Sequence, residues 1–450
     1  MSIAPSAAAP SARQVALDLL GAVLRRKRPL DDAIDDDGAI GALSARDRAF
    51  ARLLVATVLR RLGQIDDLIA ACLKAPLAAR AALVHDILRL GIAQLLFLRT
   101  PAHAAVATSV DLAHGRGFLS HKGLVNAVLR RLSVEGGERI ERQDAARLNT
   151  PEWLWESWSG AYGEAVARAI AIAHLKEAPL DLTLRSGGRT GGGEGGGSGE
   201  SDWGEQLEAT VLPTGTLRRS GGGAVMALPG YSEGGWWIQD AAAALPARLF
   251  GSVAGLDIID MCAAPGGKTA QLADAGARVT AIDRSTRRLD RLVANLGRLG
   301  LPVAAVAADA LIWRPERPAD AVLLDAPCTA TGAIRRHPDV PHLKQPGDVT
   351  RLASVQENLL RAAVEMLRPG GMLVYCTCSL EPEEGPQRIA ALLRNGAPVE
   401  RLPLDAAEIG APPEWVTAEG DLRTLPCHFG EYDGVDGFFG ARLVKRAGEN

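Results

Sequence analysis

The chain has 450 residues, 47% hydrophobic and 23% charged, a composition typical of a globular protein with two or three domains. No stretch approaches the ~20 uninterrupted apolar residues that a membrane span requires, so we expect no transmembrane helix. Residues 1–150 carry 21 Lys and Arg against 15 Asp and Glu, a net charge of +6, and the remainder carries 29 against 38, a net charge of −9. The basic third suggests a polyanion-binding module, although a solvated helical surface would show the same charge.

The six cysteines indicate the compartment in which the protein works. They are few and unevenly scattered, which argues against a disulfide framework and for a reducing compartment. The first residues, MSIAPSAAAPSAR, have no basic start followed by an apolar core, so we do not expect secretion. The sequence therefore predicts a cytoplasmic protein without a membrane partner.

The amino-terminal part is predicted to form helix after helix. ARQVALDLLGAVL and SARDRAFARLLVATVLRRL place apolar side chains at 3.6-residue spacing, and AALVHDILRLGIAQLLFL and GLVNAVLRRL follow. Ser44 is the expected N-cap of the second helix, with Asp47 three residues on as a weak capping box. Thr100-Pro101 interrupts the run because proline disfavours helix at the residue before it. We therefore predict an all-α domain over residues 1–145.

A small second region is predicted over residues 146–239. It opens near WLWESWSGAYG, which contains three of the eight tryptophans. Tryptophans at this spacing more often form a small packed core than a surface on which bases stack. The segment GGRTGGGEGGGSGES, residues 187–201, cannot bury enough apolar surface to offset its ordering entropy, so we expect a disordered insertion.

From about residue 240 to residue 447, apolar strands alternate with helices. Such strands indicate a parallel sheet covered on both faces. FFGARLVKR, residues 438–446, is the expected edge strand. The other candidate strands are LDIID (256–260), ARVTAID (277–283), VAAVAAD (303–309), DAVLLDAP (320–327) and GMLVYCTCS (371–379).

Ligands of an open α/β sheet bind beyond the carboxyl ends of its strands, near the topological switch point. After the first strand, DMCAAPGGKT contains paired glycines that let the backbone approach a ligand, and a helix start offers free N–H groups. This loop matches neither the dinucleotide nor the triphosphate pattern. The second strand ends in Asp283, which is placed either for a ribose diol or as a helix N-cap. The third strand ends in Asp309, which by position suits an adenine amino group.

Two cysteine motifs follow the last two predicted strands of the parallel series. The fourth strand ends in Asp325-Ala-Pro-Cys328 and the fifth in Tyr-Cys376-Thr-Cys378. If these strands are neighbours, Cys328, Cys378 and Asp325 crowd one cleft, and Cys376 is the expected buried residue. A thiol is the best protein nucleophile near neutral pH once its pKa is lowered. A carboxyl group beside it can hydrogen-bond a ring nitrogen of a base.

At this point the motifs resemble a known family. DMCAAPGGKT, DAPCTATGAIRRHPDV, YCTCSLEPEEG and DGFFGARL, in this order within residues 231–446, are similar to the NOL1/NOP2/Sun family of RNA cytosine-5 methyltransferases. LSARDRAFARLLVATVLRRLGQID and KGLVNAVLRRL resemble the NusB-like RNA-binding domain. The resemblance implies an α/β Rossmann-like methyltransferase domain with a mixed seven-stranded sheet over residues 240–447, preceded by an all-α NusB-like domain and a small α+β linker subdomain. Thr329 stands where serine is frequent in the family, which should preserve the hydroxyl, and Gly440 stands where an aromatic is often seen.

The resemblance also implies roles for individual residues. Cys378 would be the nucleophile that adds to C6 of cytosine, Cys328 would assist elimination, and Asp325 would stabilise the N3 edge of the base. The substrate would be 16S ribosomal RNA, free or in a partly assembled small subunit, and the protein would act as a monomer. The residues implied to hold S-adenosylmethionine are Cys262, Ala263, Ala264, Pro265, Gly266, Gly267, Lys268, Asp283, Asp309 and Asp325.

Rival functions remain open from the residues. A catalytically inactive RNA-binding or ribosome-assembly factor would keep the fold without needing paired cysteines, and a transferase acting on an amino nitrogen would need no thiol. A 5-methylcytosine enzyme acting on another RNA, such as tRNA, would carry the same motifs. Zinc needs about four ligands, and the set Cys376, Cys378, Cys427 and His428 matches no common zinc spacing. We therefore expect neither a metal nor a redox disulfide.

Overall fold

The computed structural model describes residues 11–186, 200–220 and 224–447. The predicted glycine-rich insertion therefore lies outside the described residues, except for its last two positions, which begin a helix. The described residues form two compact units. The first unit comprises the described part of Met1–Leu175 together with Arg336–Gln345, and the second comprises the described parts of Lys176–Arg335 and Pro346–Asn450.

The regular structure described in the first unit is helical, as the hydrophobic periodicity predicted. Its buried apolar side chains form one continuous core that includes Val15, Leu54, Ile87 and Leu129. The helices are Ala12–Leu24, Leu30–Asp36, Gly38–Gly41, Ala45–Arg60, Leu62–Cys72, Ala82–Ile92, Ala102–Gly115, Lys122–Glu141, Ala145–Leu148, Glu152–Tyr162, Glu164–His174 and Val340–Leu343.

The predicted helix boundary at Ser44 is confirmed. The Ser44 hydroxyl oxygen accepts a hydrogen bond from the Asp47 backbone N–H at 3.1 Å, and the hydroxyl donates to the Asp47 carboxylate at 2.8 Å. Asp47 thus turns to the Ser44 side chain, which makes the capping box weak, as expected. Ser11 and Gln14 form a full capping box at the start of the first helix.

The tryptophan-rich helix Glu152–Tyr162 contributes to a packed core, as predicted. Trp155 and Trp158 are buried. The guanidinium groups of Arg147 and Arg168 lie over the Trp155 ring at 4.9 and 5.3 Å, respectively. Cations placed in this way stabilise the ring by about 0.5–1 kcal/mol each at exposed sites. These contacts hold Trp155 within the fold rather than on a base-stacking surface.

The segment Arg336–Gln345 joins the first unit although it follows the Cys328 motif by only eight residues. The buried Asp339 carboxylate accepts a hydrogen bond from the Leu30 backbone N–H at 2.8 Å. The His342 ring donates to the Leu59 carbonyl at 2.8 Å. The chain therefore passes directly from the loop after a predicted catalytic motif into the helical unit.

The second unit contains a small antiparallel sheet in the order β2-β3-β1-β4. Its strands are β1 (Leu180–Leu184), β2 (Ala209–Val211), β3 (Leu217–Arg219) and β4 (Trp236–Ile238). Arg218 on β3 makes a bidentate ion pair with Asp181 on β1, with both N–O distances at 2.7 Å and both side chains buried. Asp181 also accepts from the Ala241 backbone N–H at 3.0 Å, which fastens this sheet to the chain that enters the main sheet.

The main sheet has the order β10-β12-β9-β8-β5-β6-β7, and the short β11 pairs with β12, so in the described residues it has eight strands where seven were expected. The strands β5, β6, β7, β8 and β9 pair with their neighbours in parallel. β12 is antiparallel to β9, β10 and β11, so the sheet is mixed, as expected. The strands are β5 (Asp257–Met261), β6 (Arg278–Asp283), β7 (Ala304–Ala307), β8 (Ala319–Asp325), β9 (Leu367–Thr377), β10 (Val399–Arg401), β11 (Leu422–Thr424) and β12 (Phe438–Lys445).

One strand prediction is wrong. The segment 438–446 was expected at the edge of the sheet, but β12 lies between β9 and β10 and also pairs with β11. The short partners β10 and β11 have only three residues each, too few to show a periodic pattern in the sequence. The apolar run of β12 therefore reflects a strand with neighbours on both sides.

Both faces of the main sheet are covered, as the apolar strands predicted. Tyr375 of β9 faces one core and its neighbours Val374 and Cys376 face the other, because successive side chains alternate across a strand. Cys376 is fully buried, as expected. The helices of the second unit are Glu200–Gln206, Leu245–Arg248, Gly267–Asp274, Thr286–Leu299, Pro346–Met366, Pro386–Arg394 and Ala406–Ile409. Within the described ranges, none of the protein's helices has the length and apolar character required to span a bilayer.

Candidate active site

The candidate site lies where the strand order reverses. β5 has β6 on one side and β8 on the other, and the chain moves outward from β5 in both directions. The carboxyl ends of these parallel strands point to one edge of the sheet, so the loops that follow β5, β6, β7, β8 and β9 meet there. These are the loops that carry the predicted site residues.

The loop after β5 is shaped by residues in the left-handed region. Cys262 has a φ of +60°, and Gly266, which precedes the helix Gly267–Asp274, has a φ of +101°. A Cβ on residue 266 would lie 2.8 Å from the Leu292 side chain, so this position accepts glycine alone without local rearrangement. The loop therefore brings backbone N–H groups to the edge of the sheet at the start of a helix.

A cavity of about 100 Å³ opens beside this loop. Asp283 at the end of β6 and Asp309 after β7 both line it, and so does Cys262. Burial raises the pKa of the Cys262 thiol to about 12, so this side chain is uncharged at neutral pH. The apolar lining consists of Ile282, Ala308, Ala310, Leu311, Pro327, Val355 and Leu359.

The two carboxylates of the cavity are held mainly by nearby backbone. Asp283 accepts from the N–H groups of Ser285 at 2.9 Å and Ala264 at 3.3 Å. Asp309 accepts from the Leu311 N–H at 3.0 Å. The alternative that Asp283 caps the next helix is wrong, because Ser285 is the N-cap and its side chain accepts from the Arg288 N–H.

Cys328 and Cys378 lie together, as predicted from their strands. β8 and β9 are parallel neighbours, and the two sulfur atoms that follow them are 3.5 Å apart. The hydrogen bond with Cys378 and burial raise the pKa of Cys328 well above its usual value. Cys328 therefore keeps its proton at neutral pH and can donate it towards the Cys378 sulfur. All six cysteines lie in the described part of the chain, and none forms a disulfide.

Asp325 joins this cleft and is paired with Lys268. The Lys268 ammonium donates to the Asp325 carboxylate at 2.7 Å and lies 4.8 Å from the centre of the Phe438 ring. Burial is the largest single influence and acts to lower the pKa of Lys268. The charge of Asp325, its hydrogen bond with Lys268, and the nearby Cys376 and Cys378 together outweigh burial, so the pKa is raised. The Cys376 thiol donates to the other Asp325 oxygen at 3.5 Å. Lys268, predicted as a cofactor-binding residue, thus contacts the cysteine cleft.

Glu384 was not identified as a site residue from the sequence. It is fully buried at the end of the turn Pro382–Glu384, and its carboxylate accepts from Thr329, which follows Cys328, and from Ser379, which follows Cys378. The feature of the sequence that could have identified Glu384 is its position in YCTCSLEPEEG, six residues after Cys378. An acidic residue in that turn could equally have been solvated, as the neighbouring Glu383 is.

The arrangement suits covalent chemistry on a planar ring beside a bound cofactor. The cleft contains a thiol pair and a carboxylate. The cavity is lined by apolar side chains, by the carboxylates of Asp283 and Asp309, and by Arg284 and Arg288. Among the described residues, no group of three or more His, Cys, Asp or Glu side chains is arranged to hold a metal ion.

Comparisons with known proteins agree with the fold and the motifs. Residues 252–444 match the family model described as 16S rRNA methyltransferase RsmB/F, and residues 10–133 match the NusB family. The chain is 34% identical to the ribosomal RNA small subunit methyltransferase B of Pseudomonas syringae, over 97% of this chain and 98% of the relative. It is 35% identical to the protein of the same name from Escherichia coli O1:K1, over 90% and 92%, respectively. Among solved structures, PH0851 has a TM-score of 0.73 at 22% identity, covering 99% of this chain and 100% of that one.

Proposed function

Since the chain belongs to the RsmB/F family of 16S ribosomal RNA methyltransferases, which depend on S-adenosylmethionine, we propose that it methylates carbon 5 of a cytosine in 16S ribosomal RNA. The reaction would proceed through a covalent bond between Cys378 and carbon 6 of the base. The observation that carries this proposal is the pair of thiols 3.5 Å apart at the ends of adjacent parallel strands. A transferase acting on an amino nitrogen has no use for such a pair.

The residues that line the cavity fit S-adenosylmethionine. Carboxylates such as Asp283 and Asp309 accept hydrogen bonds from a ribose diol and an exocyclic amine, and the apolar wall between them suits a flat heterocycle. The loop Cys262–Gly267 would hold the remainder of the cofactor through its backbone N–H groups. When bound, the cofactor supplies the methyl group that is transferred to carbon 5.

Cys378 would act as the nucleophile. Its sulfur forms a bond to carbon 6, which shifts electron density to carbon 5 and makes that atom nucleophilic. In the elimination that follows, carbon 5 gives up its proton to water and the electrons of that bond form the double bond between carbons 5 and 6. The bond between sulfur and carbon 6 then breaks and its electron pair returns to Cys378. Cys328 would assist by donating its thiol hydrogen towards the departing sulfur. The raised pKa of Cys328 supports this division, because this thiol stays protonated while its neighbour attacks.

Asp325 would bind the N3 edge of the cytosine. Its carboxylate is about one-third exposed, so it can reach a base while it stays paired with Lys268. As an acceptor it would bind a proton on N3, which becomes basic when sulfur adds to carbon 6. The pair places a cation behind the carboxylate, in a cleft from which a base would exclude water. A target nucleotide would have to leave its stack to enter this cleft, as bases do in other enzymes that modify them.

The helical unit would bind the RNA backbone. Its first 150 residues carry a net charge of +6, and phosphate contacts of this kind position a substrate without reading its sequence. The substrate would be 16S ribosomal RNA, free or in a partly assembled small subunit. Bisulfite mapping of ribosomal RNA from a deletion strain identifies the cytosine, and a map that matches the parent strain would refute the ribosomal assignment.

The mechanism is tested with Cys378→Ala and Cys328→Ala, each incubated with 16S RNA and S-adenosylmethionine. Cys328→Ala should accumulate a covalent protein–RNA adduct that survives denaturing gel electrophoresis, because elimination is blocked. Cys378→Ala should form no adduct, and its turnover should fall by at least about 10³-fold. Cys427→Ala, which removes a half-buried thiol at another place in the second unit, serves as the matched control and should keep its turnover.

Two outcomes would change the proposal. An adduct that persists in Cys378→Ala and is lost in Cys328→Ala would reverse the two roles. A protein without measurable affinity for S-adenosylmethionine by calorimetry would favour an inactive RNA-binding factor that keeps the fold.

A further inference from the structure

The Glu384 side chain lies beneath the two loops that carry the catalytic cysteines. It is fully buried, and its contacts are to side chains and backbone of the second unit. The hydrogen bonds of its carboxylate go to Thr329, Ser379 and Gln356 and not to either sulfur atom. Its negative charge is also one of the influences that raise the pKa of Cys328.

Four hydrogen-bond donors converge on its carboxylate. The Thr329 backbone N–H lies 3.1 Å from one oxygen and 3.2 Å from the other, and the Thr329 hydroxyl donates to the second. The Ser379 hydroxyl donates to that same oxygen at 2.6 Å, and the Gln356 side-chain amide donates to the first at 3.0 Å. Thr329 and Ser379 directly follow Cys328 and Cys378.

The same residues brace the backbone on both sides of the thiol pair. The Gln356 amide also donates to the Pro327 carbonyl at 2.9 Å, which fixes the residue before Cys328. The Tyr375 hydroxyl donates to the Glu384 carbonyl at 2.7 Å, which ties the turn to β9 just before Cys378. Glu384 is thus bonded to the chain on both sides of the cleft.

We infer that Glu384 is a positioning residue that sets the spacing of the two thiols, a role that rests on the proposed function of the cysteine pair. A carboxylate accepts on both oxygens and donates on neither, so it satisfies all four donors at once. An amide in its place must turn an N–H group towards donors on one side. Buried donors left without an acceptor destabilise that arrangement, so the two loops should move apart.

Glu384→Gln tests the inference, with Glu383→Gln as its matched control. Glu383 is the preceding glutamate, and its side chain is exposed. Thiol spacing is measured directly with phenylarsine oxide, which bridges two sulfur atoms and needs no RNA or cofactor. Glu384→Gln should bind this reagent at least about tenfold more weakly than the wild type, whereas Glu383→Gln should match the wild type.

The same variants separate positioning from folding. In Glu384→Gln, kcat should fall at least about tenfold and the rate of adduct formation on the Cys328→Ala background should fall with it, while KM for RNA and the Kd for S-adenosylmethionine should change less than about twofold. Wild-type capture of the arsenical by Glu384→Gln would overturn the inference. An equal loss of cofactor affinity and thiol capture would do the same, because it would mark a general structural defect.

A second pair of variants covers the case in which Glu384→Gln does not fold. Thr329→Val removes the hydroxyl that donates to Glu384 and keeps the shape of the side chain, whereas Thr329→Ser keeps the hydroxyl. Thr329→Ser should bind phenylarsine oxide about tenfold more tightly than Thr329→Val. Equal binding by the two variants would overturn the inference. Binding of phenylarsine oxide is measured without methylation. The inference about thiol spacing would therefore stand even if the proposed reaction proved to be a different one.

Discussion

The cavity beside Asp283 and the cleft of Cys328 and Cys378 share one edge of the sheet, but different kinds of contact hold them. In the cavity, Asp283 and Asp309 each accept from a backbone N–H two residues further on. In the cleft, the bonded partners are 50 to 57 residues apart in the sequence, as in the pairs Cys328–Cys378 and Lys268–Asp325.

Because of this difference, we expect substitutions in the cavity to change the affinity for the cofactor and substitutions in the cleft to change the reaction rate. Local turns around the cavity carboxylates form wherever their own strand and helix form, so changes there should alter the binding of a ligand with little effect elsewhere. The cleft exists only because β8 and β9 pair in register, which brings Asp325 opposite Cys376. Changes in the cleft should therefore alter the reaction rate.

Among substitutions that leave both thiols in place, the largest effect is expected from Lys268→Met. The substitution removes a buried cation from an ion pair whose carboxylate, Asp325, is about one-third exposed. Leaving a charged group without its partner costs up to about 3 kcal/mol. We expect this cost to fall on the step in which Asp325 contacts the base, so kcat should fall by up to about 100-fold. The Kd for S-adenosylmethionine, measured by calorimetry, should change less than about threefold, because Lys268 does not line the cavity.

Arg278→Met is the matched control for this prediction. Arg278 pairs with Asp257 at the amino end of β5 and β6, and both side chains are more than 60% exposed. Exposed pairs of this kind contribute little to stability, so kcat and Kd should stay at their wild-type values. An increase in Kd with unchanged kcat in Lys268→Met would return Lys268 to the cofactor side, as the family resemblance implied.

The next effect in size is expected from Asp283→Asn. An asparagine keeps one acceptor oxygen but loses the charge and one of the two acceptors. The Kd for S-adenosylmethionine should rise by about tenfold, and kcat at saturating cofactor should stay within about threefold of the wild type. Asp290→Asn, on the exposed face of the helix Thr286–Leu299, is the control. An unchanged Kd in Asp283→Asn would place the adenosine elsewhere.

The same contrast explains how much of the fold the sequence could predict. Helix Ala12–Leu24 matches its predicted segment to the residue, and the strands of the parallel series appear where apolar runs predicted them. Both rest on periodicity, which is a local signal. The position of β12 between β9 and β10 depends on pairing between distant segments. The sequence of β12 itself does not indicate which strands lie beside it.

For the candidate site, residue types were predictable and contacts were not. The proximity of Cys328 and Cys378 followed from the expected order of two strands, and the structure confirms it. The contact of Lys268 with Asp325 and the network around Glu384 depend on side-chain directions within loops. No periodic pattern constrains those directions, so the sequence offered no basis for predicting them.

The smallest effect on function is expected from Asp260→Asn. Asp260 is close enough to Asp283 of the cavity and to Asp325 of the cleft for their charges to act on it. Asp260 is fully buried at the end of β5 and accepts from the Thr269 hydroxyl at 2.6 Å. Burial raises its pKa from 3.8 to about 7. The folded protein therefore binds a proton that the unfolded chain releases between about pH 4 and pH 7, so the free energy of unfolding decreases as pH rises through this window, by at most about 4 kcal/mol.

An asparagine at position 260 keeps an acceptor for Thr269 and cannot ionise. The Tm of Asp260→Asn relative to the wild type should therefore rise by several degrees between pH 5 and pH 8, at about 2–4 °C per kcal/mol. Asp257→Asn, at the exposed end of the same strand, should show a constant difference, because Arg278 lowers the pKa of Asp257 and it stays ionised throughout. kcat and Kd of Asp260→Asn should stay within about twofold of the wild type.

A constant Tm difference in Asp260→Asn would mean that Asp260 is ionised in the folded protein. That result would bear on both halves of the site, because the charge of Asp325 is one of the influences that raise the pKa of Asp260. A neutral Asp260 leaves the Lys268 ammonium to Asp325, which favours the assignment of Lys268 to the cleft. An ionised Asp260 would attract the Lys268 ammonium towards the loop after β5. Substitution of Lys268 would then change both the Kd for S-adenosylmethionine and kcat, and the expected distinction between cavity and cleft would fail at Lys268.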